Sequence, residues 1–359
     1  MLRYIGIRTV WVFVVLVTIL SVNFTLLKLA PEYPPQDVDQ RNIYYARQAA
    51  DGYMEQIVVT DEETIRAYNA GTLDPCSDPK CYFTVDISGY YIIYDPVPIS
   101  VQYLNWLRNV VTEWNWGLST RVAVNTPAFD VLASRIPVTL RLNLISLFFY
   151  IPIGFILGII AALKKNTRVD DSISLGVMIF ISVPSFVTMT VLVMVLGYTL
   201  RWLPTQFPPG DTVGILQYTG MILPVLGLSF GAIAGLTRTT RAELAEVLTS
   251  DFILLARAKG LTYRQSVVRH ALRNSMVPLV PDIIGSFVGL LSGSVIIERI
   301  YSIPGTGRVF LQALEQSSYD YNVILVTTAF YTFIGLFAVL LVDLSYGLVD
   351  PRIRMGARK

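Results

Sequence analysis

The feature that most constrains this chain is a set of six long apolar stretches. A helix needs about 20 consecutive apolar residues to cross the hydrocarbon core of a bilayer. Only 15% of the residues are charged and 53% are hydrophobic, a composition that excludes a water-soluble enzyme. We therefore predict an all-α polytopic membrane protein with six transmembrane helices. The predicted spans are Thr9–Leu27, Val138–Leu163, Ile173–Leu200, Tyr218–Leu236, Leu279–Ile297 and Val323–Val349.

The charges that flank these spans predict their orientation. Cytoplasmic segments carry an excess of Lys and Arg. With the N-terminus inside, the cytoplasmic segments hold 16 basic residues, whereas the short outer loops hold Arg201, Arg299 and Arg308, with a few more at span edges. Both termini are therefore predicted to be cytoplasmic. The first apolar run is longer than a cleaved signal peptide needs and no small-residue cleavage site follows it, so we interpret it as a retained helix.

The segment 31–135 between the first two spans is different in kind. It carries 14 acidic and 7 basic residues and has no stretch apolar enough to cross a membrane. Its length exceeds that of ordinary loops, and alternating apolar residues in 82–87 and 90–94 are typical of short strands. We predict an inserted extracytoplasmic α/β subdomain that acts as a cap. Cys76 and Cys81 lie on the oxidising side, where a disulfide is expected and two free thiols are the alternative.

The cytoplasmic segment 237–278 has the pattern of two helices separated by a glycine. Apolar residues at helical spacing predict one buried stripe. Ser250 and Asp251 are candidate caps for the first helix, and Gly260 is placed to end it with a positive φ. Thr262 and Gln265 fit a capping box for the second helix, which we expect to end near Arg273, before Pro278 opens the fifth span. The predicted stripe consists of Leu244, Leu248, Phe252, Leu255 and Ala256.

Composition alone leaves three roles open for this basic segment. It could lie on anionic lipid, be simply solvated, or insert into a groove of a cytosolic partner. The glycine break favours docking, because a helix that lies on lipid gains from being continuous.

Several sequence stretches resemble the dipeptide/oligopeptide ABC-importer permeases. The loop reads RAELAEVLTSDFILLARAKG from Arg241 to Gly260 and RHALRNSMVP from Arg269 to Pro278. The chain also contains IYSIPGTGR from Ile300 and LVDLSYGLVDPRIR from Leu341. Shorter similar pieces lie in the same order at Leu29–Pro31, Gln102–Leu107, Trp116–Ser119, Arg135–Leu140, Ser182–Phe186 and Ser292–Val295. Two features depart from the family: 254–256 reads Leu-Leu-Ala where the broader importer signature has Glu-Ala-Ala, and about 36–94 has no counterpart in compact members of the family.

The resemblance implies a membrane subunit that pairs with a second homologous permease, two cytosolic ATPase subunits and an extracellular peptide-binding lipoprotein. The cytoplasmic loop would be the element that couples to the ATPase. The residues predicted for this coupling are Asp251, Ala256, Arg257, Ala258, Lys259, Gly260, Leu261, Arg269, His270 and Arg273.

The chain has no sequence signature for chemistry of its own. It has no Gly-x4-Gly-Lys-[Ser/Thr] phosphate-binding loop, and one His with two Cys gives no zinc site. We expect no cofactor in this chain, with ATP and Mg²⁺ bound by the partners, and no nucleic acid ligand. Asp282 and Asp343 are expected to pair structurally with Arg, Lys or helix-end amides. The possible translocation-pathway residues are Arg141, Asn143, Ser182, Pro184, Ser292 and Ser294.

The sequence thus predicts a non-catalytic permease subunit of an ATP-driven, binding-protein-dependent oligopeptide or dipeptide importer in a prokaryotic plasma membrane. The predicted divisions are a first transmembrane helix (1–30), the cap (31–135), a permease core (136–350) and a basic cytoplasmic tail (351–359). Import of nickel or another metal chelate is the alternative within the family. An ion-coupled secondary transporter is the alternative from another class, although we see no internal repeat.

Overall fold

The computed structural model describes residues 2–76, 78–86, 89–208, 215–291, 295–315 and 319–349. The chain divides into two compact units. We call one the core unit (Met1–Phe13, Ile136–Arg308 and Phe333–Lys359) and the other the insertion unit (Val14–Arg135 and Val309–Thr332).

The insertion unit contains a small antiparallel sheet with helices. After α1 (Leu2–Leu29) the chain forms α2 (Val38–Ala50), β1 (Met54–Val59), α3 (Glu62–Asn69), β2 (Tyr82–Val85), β3 (Tyr91–Pro96), α4 (Ile99–Glu113) and α5 (Ala128–Ala133). The strand order is β1-β3-β2, so β3 pairs with both neighbours. The predicted strands β2 and β3 are confirmed, and β1 was not predicted. Ile87, part of the predicted strand segment, lies outside the described residues.

Aromatic side chains form the small core beside this sheet. Tyr44 and Tyr45 of α2 pack with Met54 of β1 and Tyr94 of β3. The α2 helix begins where Asp37 accepts a hydrogen bond from the Gln40 amide at 3.0 Å, a side-chain cap that fixes its first turn. The acidic insertion is therefore a folded unit.

A buried carboxylate closes the insertion unit around the segment before α5. Asp320 is fully buried, and its Oδ2 accepts hydrogen bonds from the Ser119 hydroxyl at 2.6 Å and from three successive amides at 3.0–3.1 Å. Such a concave run of amides is a favourable site for an anion. The amides belong to Thr120, Arg121 and Val122.

Apolar helices make up most of the core unit. They are α6 (Ile136–Leu163), α7 (Arg168–Ser182), α8 (Ser185–Leu192) and α9 (Ile215–Leu248), followed by α10 (Asp251–Ala258), α11 (Tyr263–Ser266), α12 (Leu272–Leu291) and α13 (Val295–Ile300). Two further helices, α14 (Thr306–Ala313) and α15 (Tyr321–Val349), each have one part in the core unit and one part in the insertion unit. A π-helical turn, Val193–Thr199, continues α8, and another, Val267–Ala271, joins α11 to α12.

Helices α6 and α9 pack closely because small residues allow their backbones to approach. A Cβ atom added at Gly158 would lie 2.5 Å from the Thr240 Cβ and 2.9 Å from the Thr237 carbonyl oxygen. The Thr237 hydroxyl donates to the Gly154 carbonyl at 3.1 Å. Small residues at such crossings are how membrane helices pack without a hydrophobic driving force between them.

The structure agrees with the predicted spans in part. Within the described residues, four helices are long and apolar enough to cross a membrane: Gly6–Leu29, Ala128–Leu163, Tyr218–Leu248 and Tyr321–Ser345. A fifth is added if Arg168–Ser182 and Ser185–Thr199, which meet at a bend of 99°, form one span. The predicted fifth span, Leu279–Ile297, includes residues outside the described ranges, so six spans remain a prediction.

The third predicted span is bent at Pro184, because an imide nitrogen cannot continue the helical hydrogen bonds. Two other expectations about these helices were wrong in detail. The α9 helix continues well past Leu236 to Leu248. The helix after Gly260 does not end near Arg273, since Pro278 lies inside α12.

The two acidic residues within the predicted spans differ in their surroundings. Asp343 of α15 forms an ion pair with Arg8 of α1 at 2.8 Å, which confirms the expected structural pairing. Asp282 is exposed on α12, and its pairing stays a prediction.

Candidate functional site

The candidate site is the segment from Thr249 to Arg273, which leaves α9 and returns to α12. Helix α9 ends at Leu248, and α10 starts with Asp251 after two intervening residues. Ser250 occupies the capping position but makes no side-chain cap to α10; its hydroxyl donates to the Val247 carbonyl at 2.5 Å. The predicted role of Ser250 as a side-chain cap is therefore wrong, because its hydroxyl satisfies the end of α9 instead.

Gly260 ends α10 in a Schellman motif. Its φ is +91°, which confirms the predicted positive φ. The Gly260 amide donates to the Arg257 carbonyl at 2.9 Å, and the Leu261 amide donates to the Ala256 carbonyl at 3.3 Å. These two bonds satisfy carbonyl groups that a helix end leaves without partners. A Cβ atom on Gly260 would meet no atom within 4 Å, so glycine is favoured here by its backbone angle and not by lack of space.

A capping box starts α11 directly after this turn. The Thr262 hydroxyl accepts from the Gln265 amide at 3.3 Å, and the Gln265 side chain accepts from the Thr262 amide at 3.0 Å. This confirms the predicted box. Because both short helices have ends fixed by hydrogen bonds, the angle between them is set by the four residues from Lys259 to Thr262.

The buried face of α10 matches the stripe that helical spacing predicted only at Ala256. Ile253 and Ala256 are buried, and Ile253 packs in a cluster with Leu244, Ala245 and Ala271. Phe252 and Leu255, which belong to the predicted stripe, are exposed instead. The break at 249–250 rotates α10 relative to a continuous extension of α9. Phe252 and Leu255 therefore point away from the buried cluster.

The result is a short helix fixed on one side and apolar on the other. Phe252, Leu254 and Leu255 are exposed on α10, and Tyr263 is exposed on α11. The Arg257 guanidinium lies 5.9 Å from the centre of the Tyr263 ring, across the glycine turn. Such a mixed apolar and basic surface can be covered by a protein groove with acidic residues at its edge.

Most of the predicted coupling residues are exposed. Leu261 and His270 are half-buried and Ala256 is buried under the helix. The exposed members are Asp251, Arg257, Ala258, Lys259, Gly260, Arg269 and Arg273.

An ion pair at the base of the segment was not predicted. The Arg241 guanidinium of α9 binds the Asp170 carboxylate of α7 through two nitrogens at 2.5 and 2.7 Å, and Asp170 is buried. A bidentate pair fixes orientation as well as distance. The sequence does show an acidic residue just before the third predicted span and an arginine near the start of the 237–278 segment. Their positions in the sequence do not indicate that the two residues form a pair.

The residues predicted for the translocation pathway do not form a described cluster. Arg141 is exposed and Asn143 is buried on α6. Ser182 and Pro184 are exposed at the bend between α7 and α8. Ser292 and Ser294 lie outside the described residues, and the pathway assignment stays a prediction.

Glu298 is another buried carboxylate that the sequence analysis did not predict. Its Oε1 accepts from the Thr139 hydroxyl at 3.1 Å, and its Oε2 accepts from the Arg308 amide at 2.9 Å. The Thr139 oxygen in turn accepts from the Thr306 amide at 2.9 Å. A carboxylate at the first turn of α14 is favoured by the helix dipole. Glu298 therefore holds the glycine-containing turn 302–308 in place.

In the insertion unit, Cys76 and Cys81 form a disulfide with their Cα atoms 5.5 Å apart. Among the described residues no group of three or more His, Cys, Asp and Glu side chains is arranged to hold a metal ion.

Comparison with known proteins gives consistent results. The model of the family "binding-protein-dependent transport system inner membrane component" matches residues 154–355. The dipeptide transport system permease protein DppB of Bacillus subtilis is 35% identical over 75% of this chain and 83% of its own length. The oligopeptide transport system permease protein OppB of Salmonella typhimurium is 37% identical over 75% of this chain and 84% of its own length.

A solved structure shares the fold. The inward-facing MetNI methionine ABC transporter matches with a TM-score of 0.50, covering 62% of this chain and 97% of the matched chain at 19% identity. This likeness supports the arrangement of helices alone.

Proposed function

Because the chain belongs to the family of binding-protein-dependent transport system inner membrane components, we propose that it imports dipeptides or oligopeptides as one half of an ATP-driven translocation pathway. It is a multi-pass membrane protein and the permease component of an ABC importer. The peptide substrate is proposed from the relatives that the chain resembles over most of their length.

The proposal includes the assembly around the chain. A second homologous permease completes the pathway, two cytosolic ATPase subunits bind ATP and Mg²⁺, and an extracellular lipoprotein delivers the peptide. In this assembly the chain crosses a prokaryotic plasma membrane six times with both termini in the cytoplasm, and 31–135 is an extracytoplasmic cap. The excess of basic residues in the predicted cytoplasmic segments supports this orientation.

One observation carries the coupling part of the proposal. The α10 helix is held on one side by Ile253 and presents Phe252 and Leu255 to the outside. A helix that only had to be solvated would gain nothing from exposing these side chains. We propose that this apolar side enters a groove of the ATPase, and that groove closure on ATP binding moves α10 together with α9 and α12. The motion reorients the spans only if the ATP-bound partner favours one orientation over the other.

Substitution of Gly260 tests the coupling. Any side chain strains a positive φ by roughly 1–2 kcal/mol, and a β-branched one is least tolerated. Gly260→Val should therefore change the angle between α10 and α11 and abolish peptide-stimulated ATP hydrolysis in vesicles that contain the complete importer. Gly260→Asn should retain part of the stimulation, because Asn adopts left-handed angles more readily.

The matched control is Gly71→Val. Gly71 also has a positive φ, +67°, and open surroundings, but it lies in the insertion. The Gly71→Val variant should leave peptide-stimulated ATP hydrolysis unchanged.

Cross-linking tests the same proposal. Cysteines at Phe252 and Leu255 should cross-link to the ATPase. Normal transport by Gly260→Val, or cross-links to lipid alone, would show that the docking proposal is wrong. If the importer takes up nickel and not labelled dipeptide, the proposed peptide substrate is wrong and the metal-chelate alternative is correct.

A further inference from the structure

Helix α4 carries an apolar side that nothing in the described protein covers. Val101 is 42% exposed, Leu104 63% and Val111 74%. These residues follow the spacing of one helical face, with Arg108 between them. These three aliphatic side chains form a stripe on one face of a 15-residue helix. Exposure of such a stripe to water is unfavourable in free energy.

The other sides of α4 are held by the insertion unit. Trp106 and Val110 are buried. The Asn105 side chain donates to the Gly52 carbonyl at 2.6 Å, and the Asn109 side chain donates to the Asp51 carbonyl at 2.9 Å. A helix turns about 100° per residue, so the buried Trp106 and Val110 lie roughly opposite the exposed stripe, and the two Asn contacts hold the side between them. Helix α4 therefore cannot rotate to bury its apolar stripe.

Contacts with α1 set the level of α4 along a membrane-crossing helix. The hydroxyl oxygens of Tyr103 and Ser21 lie 2.6 Å apart. The Phe24 ring contacts both Tyr103 and Trp106, with centroids 5.7 and 5.1 Å apart. Ser21 precedes the last residue of α1, Leu29, by eight positions, which corresponds to about 12 Å along the helix.

At this level α1 itself has the surface of a helix in lipid. Val22 is 53% exposed and Leu26 60% exposed, and the first charged residue after Arg8 is Lys28. The apolar surface of α1 thus continues past the position of Tyr103. Leu104, which follows Tyr103 in the sequence, therefore lies at a level along α1 where the helix surface is still apolar.

We propose that α4 lies in the bilayer interface beside the C-terminal end of α1, with its exposed stripe covered by phospholipid. This inference depends on the proposed topology in one respect, which is that the leaflet beside α4 is the outer one. Aliphatic side chains on such a helix enter the boundary between headgroups and acyl chains. The Arg108 guanidinium reaches lipid phosphates from the same face, and the exposed Trp114, directly after α4, belongs to the residue type enriched at this boundary.

Lipid fits the stripe better than a second protein does. A protein groove for α4 would have to displace lipid at a level where α1 is still apolar. A lipid-covered stripe requires no such displacement. The insertion is then anchored to the membrane at a second place besides the end of α1.

Quenching of a fluorescent label tests this directly. The two cysteines of the chain form the disulfide, so an added cysteine is the single free thiol. Leu104→Cys and Val111→Cys would be labelled with bimane in the full chain. The labelled chain would be placed in vesicles of phosphatidylethanolamine and phosphatidylglycerol, with or without lipids brominated near the headgroup end of the acyl chain. Glu63→Cys, at an exposed position on α3, is the control.

Loss of emission with brominated lipid at positions 104 and 111, but not at 63, is the expected result. Aqueous iodide should quench the label at 63 and leave the other two labels bright. Equal quenching by iodide at all three positions would overturn the proposal in favour of a solvated helix. Labels at 104 and 111 that neither agent quenches would overturn it in favour of a protein cover. Neither ATP nor peptide is needed, so the outcome is independent of the Gly260 test.

Discussion

At the scale of single residues, Gly158 makes the most demanding contact between the two most closely packed helices. It sits opposite Thr240 and the Thr237 carbonyl, where α6 and α9 cross. The space of an added methyl group is occupied by the Thr240 Cβ, which is bonded directly to the backbone, and by the Thr237 carbonyl oxygen, so neither atom can move aside as the end of a flexible side chain would. The two helices would have to separate instead.

Gly158→Ala should lower the stability of the purified chain by roughly 1–3 kcal/mol, the cost of overpacking a close-packed contact. The midpoint of thermal unfolding in detergent measures the change. Gly235→Ala on α9 is the matched control, because an added Cβ there meets no atom within 4 Å. Equal midpoints for the two variants would show that α6 and α9 separate without cost at this crossing.

At the scale of elements, the disulfide loop 76–81 holds a cation at the end of α1. The Lys80 ammonium donates to the Lys28 carbonyl and, at 3.3 Å, to the Ala30 carbonyl. The C-terminal end of a helix carries partial negative charge and carbonyl groups without partners, so a cation stabilises it. The disulfide fixes the loop that presents this cation.

We predict that Lys80 and the disulfide stabilise the chain cooperatively. The double variant Cys76→Ser/Cys81→Ser should cost about 2 kcal/mol or less, since the closed loop is short. Lys80→Met should destabilise the chain with the disulfide intact and have a smaller effect in the serine variant. Urea unfolding of the four proteins gives the coupling energy. Additive effects would mean that the loop holds Lys80 without its disulfide, and alkylation of both thiols in native protein would mean that no disulfide forms.

Elements fixed by local chemistry were predicted well from the sequence. The Thr262 capping box involves residues three apart, and the positive φ of Gly260 follows from the helix end that it terminates. Elements that depend on distant partners were not predicted from the sequence. Met54–Val59 contains Glu and Gln and does not alternate like an isolated strand, so its identity as β1 depends on pairing with β3.

The candidate site shows the same division between local and distant causes. The composition of α10 was clear from the sequence, but its orientation was not, because two residues at 249–250 shift the phase of the helix. The Asp170–Arg241 pair joins residues 71 positions apart, and no periodic pattern encodes such a distance. The spacing of apolar residues therefore predicts the buried face only within one continuous helix.

At the scale of the whole molecule, the insertion is expected to serve peptide delivery and not ATPase assembly. Deletion of Gln36–Tyr94 removes α2, β1, α3, β2 and most of β3, together with the Asp51 and Gly52 carbonyls that hold α4. It leaves the Asp320 contacts and the α10–α11 segment in the chain.

The deletion should therefore impair peptide uptake while the ATPase subunits still co-purify with the permease. The net charge of −7 on 31–135 should also make binding of a basic delivery protein weaken as salt rises. Uptake by cells and pull-down of the ATPase measure the two halves of this prediction. Wild-type uptake by the deletion variant would make the insertion dispensable.

The contacts of Asp320 also bear on the order in which the chain matures during synthesis. The amides of Thr120, Arg121 and Val122 leave the ribosome about 200 residues before the carboxylate that they bind. At 5–20 residues per second this delay is roughly 10–40 s. During that time three adjacent amides must be hydrated or held by a chaperone, so the insertion unit completes its fold only after the fifth predicted span has been made. A ribosome that stalls between these two points would leave the insertion unit without the carboxylate that binds these amides.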